Sequence, residues 1–137
     1  MIGIVVVTHS GLGEALIESA EMILEGPLEA AMAVSVDLSQ SAEQMRKKIS
    51  AGIKAVGKDE GVLILTDMFG GTPSNLSLSF LEEGRIEVLT GVNLPVVIRA
   101  AKMRKDKNLS ELAESLQAYG RKSIALASGV LKGNKRT

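Results

Sequence analysis

The chain has no cysteine, no tryptophan and only one histidine among its 137 residues. Without thiols there is no disulfide framework, no thiolate nucleophile and no Cys-containing zinc site. One histidine with scattered carboxylates is a poor ligand set for zinc, so neither a metal nor a cofactor is expected. Phe69, Phe80 and Tyr119 are the only aromatics, which argues against base-stacking platforms. Acidic and basic residues balance at 16 each, so no bulk field recruits nucleic acid or an anionic membrane. Apolar runs fall far short of a membrane span. The first residues lack the basic region and small-residue cleavage site of a signal peptide. These absences leave one well-buried domain, expected in the cytoplasm and inserted in no membrane.

What is present alternates between two periodicities. Ile2 to Val7 is almost continuously apolar and β-branched, as in a strand buried on both faces. Leu12, Leu16, Ala20 and Ile23 follow at helical spacing, and Gly26-Pro27 ends that helix. Ala31–Val36 reads as a second strand. Ser41 and Gln44 match a capping box for a helix carrying Ala42, Met45, Ile49, Ile53 and Val56 on one stripe. Val62–Leu65 is a third strand, followed by a helix from about Pro73 to Leu81 and a fourth strand over Ile86–Leu89. "GVNLPVVIRAAKM" reads as a turn and a helix. Leu109–Tyr119 is a further helix with Ser110 as its N-cap, and Ser123–Ala127 a fifth strand. This pattern predicts an α/β fold: a doubly wound, mostly parallel five-stranded sheet with helices on both faces. The domain is expected over residues 1–128, with a flexible basic tail over 129–137.

In open sheets of this class ligands bind beyond the carboxyl ends of the strands, where the strand order reverses. In the common 2-1-3-4 order that point lies between strands one and three. His9 follows the first and Asp67 the third, so the order would bring imidazole and carboxylate together. An imidazole whose Nδ1–H is held by a carboxylate presents its Nε2 lone pair in a fixed direction, as a good nucleophile. Gly70-Gly71 lets the backbone turn and approach a ligand closely. Thr72 is a good N-cap and Pro73 suits the first helical position. A helix N-terminus favours an anion, and Thr72 and Ser74 add hydroxyl donors. Taken singly, each signal also has a bland reading: a polar turn histidine, a turn-forming Asp67, a glycine pair that is only a loop. Taken together they suggest phosphoryl transfer onto His9, with Asp67 as orienting acid and Gly70, Gly71, Thr72 and Ser74 as the phosphate cradle.

Three segments, "IVVVTHSGLGEALIESAEMILEG", "GVLILTDMFGGTPSN" and "LTGVNLPVVI", resemble the mannose-family enzyme IIA domain of the bacterial phosphoenolpyruvate-dependent sugar phosphotransferase system. The resemblance runs from Ile2 to about Ala127. It implies that His9 is the phosphorylated histidine and Asp67 its orienting carboxylate. It implies a histidine-containing phosphocarrier protein as donor and a IIB protein as acceptor, the latter expected as a separate chain. It also implies a homodimer in which an antiparallel last strand is exchanged. Phe69 stands where such domains often carry Trp, and Ser10-Gly11-Leu12 where better-known ones carry a bulkier residue.

Other readings compete with this one. A IIA-like phosphoacceptor can serve a regulator or a dihydroxyacetone kinase instead of transport. A flavodoxin-like module usually wants aromatic rings to sandwich its cofactor. A P-loop needs Gly-Lys-Ser/Thr after the first strand, and "THSGLGEA" lacks it. A receiver domain needs an acidic pair where His9-Ser10 stands.

Overall fold

The computed structural model describes residues 1–57 and 59–133. In chain order the elements are β1 (Gly3–His9), α1 (Leu12–Leu24), β2 (Ala31–Val36), α2 (Ala42–Val56), β3 (Val62–Thr66), α3 (Thr72–Leu78), β4 (Ile86–Thr90), α4 (Leu94–Met103), α5 (Leu109–Lys122) and α6 (Ala127–Leu131). The four strands form one parallel sheet in the order β2-β1-β3-β4. The reversal of strand order therefore falls between β1 and β3, as the sequence predicts.

Alternation along the strands divides the core. Ile4, Val6, Leu63 and Leu65 face α1, α4 and α5, where Ala20, Val97, Ala100, Leu112 and Leu116 cover them. Val5, Val7, Val62 and Ile64 face the opposite side, against Met45, Ile49 and Ile53 of α2 and Leu76 of α3. β1 and β3 are thus buried on both faces, which is why they read as unbroken apolar runs.

Helix boundaries follow local hydrogen-bond chemistry. The Ser41–Gln44 capping box is present at α2. α5 also starts with a capping box, but Asn108 is its N-cap, not Ser110: Asn108 Oδ1 accepts from Glu111 N–H at 2.9 Å and Glu111 answers. α3 stops at Leu78, short of the expected Leu81. Serine 79 withdraws the Leu76 carbonyl with both its hydroxyl (2.6 Å) and its N–H (3.2 Å), and residues 79–81 continue in tight i→i−3 turns.

The fifth strand is not formed; the described residues contain four. α5 runs through Gly120 to Lys122, and the Ser123 hydroxyl closes it onto the Gly120 carbonyl. Residues 124–126 pair with no strand, and Ala127–Leu131 is helix α6. A strand needs a ladder partner to satisfy its backbone, and this segment finds none among the described residues. Ile124 and Leu126 are left about four-fifths exposed, at 82% and 78%. Of the expected tail, residues 134–137 lie outside the described residues.

Candidate phosphoacceptor site

β1 extends two residues past the apolar run, and its last residue is His9. Alternation turns this side chain to the α2/α3 side of the sheet, together with Val5 and Val7. β3 ends at Thr66 and Asp67 follows directly. Because β1 and β3 are neighbours in parallel register, with Val7 opposite Thr66, the two residues meet. His9 Nδ1 lies 2.8 Å from Asp67 Oδ2.

The carboxylate is held from three directions. Its Oδ2 also accepts from the backbone N–H of His9 at 2.9 Å, and Oδ1 from the backbone N–H of Met68 at 2.9 Å. Burial pushes the Asp67 carboxyl up, but the His9 N–H, the His9 ring and the Met68 N–H together outweigh it and hold the group below the ordinary value of 3.8. Asp67 is therefore ionised at neutral pH and can only accept. In neutral His9 the ring proton sits on Nδ1 and the lone pair on Nε2. The Asp67 side chain is 11% exposed and that of His9 39%, so the acid is sheltered while the ring faces solvent. Beside the ring opens a groove of about 510 Å³ bounded by Ser35, Val36, Asp37 and Leu38.

The glycine pair contributes in two different ways. Gly70 has φ +87°, a left-handed conformation that side chains resist. Gly71 has an ordinary extended backbone, but a Cβ there would lie 3.1 Å from His9 Cε1 and 3.2 Å from Met68 Cγ. Its constraint is space beside the imidazole. Gly70→Ala is expected to cost about 1 kcal/mol of stability, read by chemical denaturation. Gly71→Ala is expected to leave stability nearly unchanged and to shift the His9 ring resonances. Equal effects of both substitutions on stability and ring would contradict this division.

Gly71 takes the N-cap position and Thr72 is the first residue of α3, with no side-chain cap. This corrects the expectation that Thr72 caps the helix, and it leaves the Thr72 hydroxyl uncommitted to capping. Ser74 is fully buried and its hydroxyl has no protein partner. The structure thus brings His9 and Asp67 into direct contact and leaves room for the ring only because Gly71 has no Cβ; Gly70 and Thr72 adjoin Gly71 in sequence, and Ser74 is buried. Sequence reasoning missed the two main-chain donors that hold Asp67. A peptide N–H leaves no mark in residue identity.

The carboxylate–N–H contacts also tie stability to pH. Asp67 has its pKa lowered in the folded state, so its contribution is complete above the unfolded value and is lost as pH falls through the folded one. The stability gap between wild type and Asp67→Asn is expected to be constant near neutrality and to narrow below about pH 4. Denaturation midpoints across that range check it; a gap independent of pH would contradict it.

Among the described residues no helix is long and apolar enough to cross a membrane, and no cluster of three metal-ligating side chains occurs. A doubly wound α/β domain with an acid-oriented imidazole at its switch point is the class that fold and site define. The family model described as "PTS system fructose IIA component" matches residues 3–117. The chain belongs to this mannose-type EIIA family of the phosphotransferase system. It is 31% identical to the fructose-specific EIIA component of Bacillus subtilis, over 93% of this chain and 88% of that protein. It is also 31% identical to the mannose-specific EIIAB component of Escherichia coli, over 90% of this chain but only 38% of that longer protein. Among solved structures, EIIA from Streptococcus agalactiae superposes with TM-score 0.82 at 26% identity, covering 93% of this chain and 98% of that one. The mannose/sorbose-specific IIA subunit from Enterococcus faecalis gives TM-score 0.81 at 28% identity, covering 91% and 93%.

Proposed function

We propose that this chain is a cytoplasmic phosphocarrier of a sugar phosphotransferase system. It accepts a phosphoryl group on His9 Nε2 from the histidine-containing phosphocarrier protein and passes it to a IIB partner. The observation that carries this reading is the 2.8 Å contact between His9 Nδ1 and the ionised Asp67. With Nδ1 protonated, the exposed Nε2 lone pair attacks phosphorus as the phosphorus–nitrogen bond of the donor breaks, and the electrons of that bond return to the donor ring. The imidazole gains positive character, which Asp67 stabilises at once because it is already in place.

Gly70, Gly71 and Thr72 form the near wall of the phosphate cradle. Gly71 brings the main chain beside Cε1, and Thr72 adds a hydroxyl and a first-turn N–H without an intrahelical partner. Ser74 is fully buried, with an unpartnered hydroxyl. The acceptor role needs no metal in this domain, which is taken as residues 1–128, with 129–137 as its tail. Leu12, Leu38, Met68 and Phe69 are exposed apolar side chains that follow or flank the ends of β1, β2 and β3. Such a rim suits protein partners better than a small polar substrate.

The test is to incubate the purified protein with phosphorylated phosphocarrier, without added metal, and to measure its mass. A gain of one phosphoryl group, labile in acid and stable in base as a phosphoramidate is, is expected. No gain, or strict dependence on added metal, would overturn the reading.

We also propose a homodimer. Among the described residues the outer edge of β4 has no strand partner, and a groove of about 500 Å³ lined in part by Val88, Leu89, Val96 and Leu116 runs beside it. Unpaired edges invite a second chain, and the unpaired segment 124–126 offers apolar side chains for exchange between copies. Light scattering at micromolar concentration is expected to give a dimer mass. A monomer would overturn the dimer and leave the histidine chemistry untouched.

A further inference from the structure

The chain reverses from β1 into α1 through Ser10 and Gly11, and Ser10 is held at φ +50°, a conformation costly for a residue with a side chain. Gly11 occupies the N-cap position of α1 and has no side chain to accept the first free N–H groups of the helix. Thr8, still inside β1, supplies that acceptor. Its Oγ1 accepts from Gly13 N–H at 2.8 Å, and Thr8 is fully buried. A Cβ on Gly13 would lie 3.1 Å from the Val6 carbonyl oxygen and 3.2 Å from Thr8 Oγ1. The glycine is what allows the first turn of α1 to rest on the strand. The bond closes the segment 8–13, with His9 and Ser10 inside it.

His9 needs such a lock. The ladder to β3 ends at Val7. On the other side His9 lies opposite Val36, and the Ser10 N–H reaches the Val36 carbonyl only at 3.4 Å. One oxygen, Asp67 Oδ2, accepts both the backbone N–H and the ring Nδ1 of His9. A rotation of the peptide at position 9 therefore disturbs the ring contact as well. We propose that Thr8 is a positioning residue for His9: its hydroxyl, bonded to Gly13, fixes the backbone at position 9 and through it the Nδ1–H···Asp67 hydrogen bond.

The kinetic part of the test rests on His9 as phosphoacceptor; the spectroscopic part does not. In the full chain, Thr8→Val replaces the hydroxyl by a methyl group. The His9 Nδ1–H proton resonance, expected in wild type, should be lost. Transfer from phosphorylated phosphocarrier should slow on the order of tenfold with KM little changed. Thr8→Ser, which keeps the oxygen, should behave as wild type on both counts. A folded Thr8→Val protein that keeps the resonance would overturn the proposal, as would a Thr8→Ser protein impaired to the same degree. If Thr8→Val does not fold, Thr8→Ala decides. Joint loss of Gly13 amide protection and of the ring resonance supports the lock, and loss of the first with the second intact overturns it. Absence of transfer in wild type would remove the phosphoacceptor reading while these resonance outcomes keep their meaning.

Discussion

His9→Ala is expected to take up no phosphoryl group from a complete donor mixture, while folding as wild type does. No other imidazole exists in the chain and there is no thiol, so no other side chain offers equivalent nucleophilicity at neutral pH. Folding should survive because the ring is part exposed and lies at the end of β1, outside both core clusters. Asp67 loses the ring contact but keeps the main-chain N–H groups of residues 9 and 68. Intact-protein mass and circular dichroism, read together, check both halves. A mass gain equal to that of wild type would move the acceptor away from position 9.

Asp67→Asn is expected to slow transfer by roughly ten- to a hundred-fold, the loss of one charge-assisted contact. The geometry explains why an amide of the same shape does not substitute. Three donors converge on two carboxylate oxygens: His9 N–H and Nδ1 on Oδ2, and Met68 N–H on Oδ1. An amide has one oxygen and one NH₂. If the oxygen faces His9, the NH₂ opposes Met68 N–H. If it is turned to Met68, the NH₂ faces Nδ1 and favours the tautomer with the proton on Nε2, which blocks the attacking lone pair. Single-turnover rates to and from the variant measure the effect. Wild-type rates would reduce Asp67 to a turn former.

Much of the fold was legible because burial on both faces writes unbroken apolar runs, as in Ile2–Val7 and Val62–Leu65. The strand order followed from general topology, and it alone brings His9 beside Asp67. The segment after α5 forms no strand among the described residues, for a physical reason. Ser123–Ala127 has the composition of a strand, but composition cannot supply a neighbour to pair with, and among the described residues this segment pairs with no strand. Helix starts shift by one or two residues where neighbouring residues can each take the N-cap position, as at Asn108 and Ser110 or at Gly71 and Thr72. The meeting of His9 with Asp67 was legible from residue types and strand order. The division of labour between Gly70 and Gly71 was not, since identical letters hide a dihedral constraint in one and a contact distance in the other.

Met68 lends its peptide N–H to Asp67 while its side chain is more than half exposed. The same residue thus serves chemistry with an atom that every amino acid except proline possesses, and serves the surface with atoms that any substitution rewrites. On the proposed reading, drift at this position retunes which protein docks while the acid beneath stays oriented. A lineage with such a site can acquire a new partner by ordinary point changes on its rim, without passing through an ancestor that has lost its reactive centre.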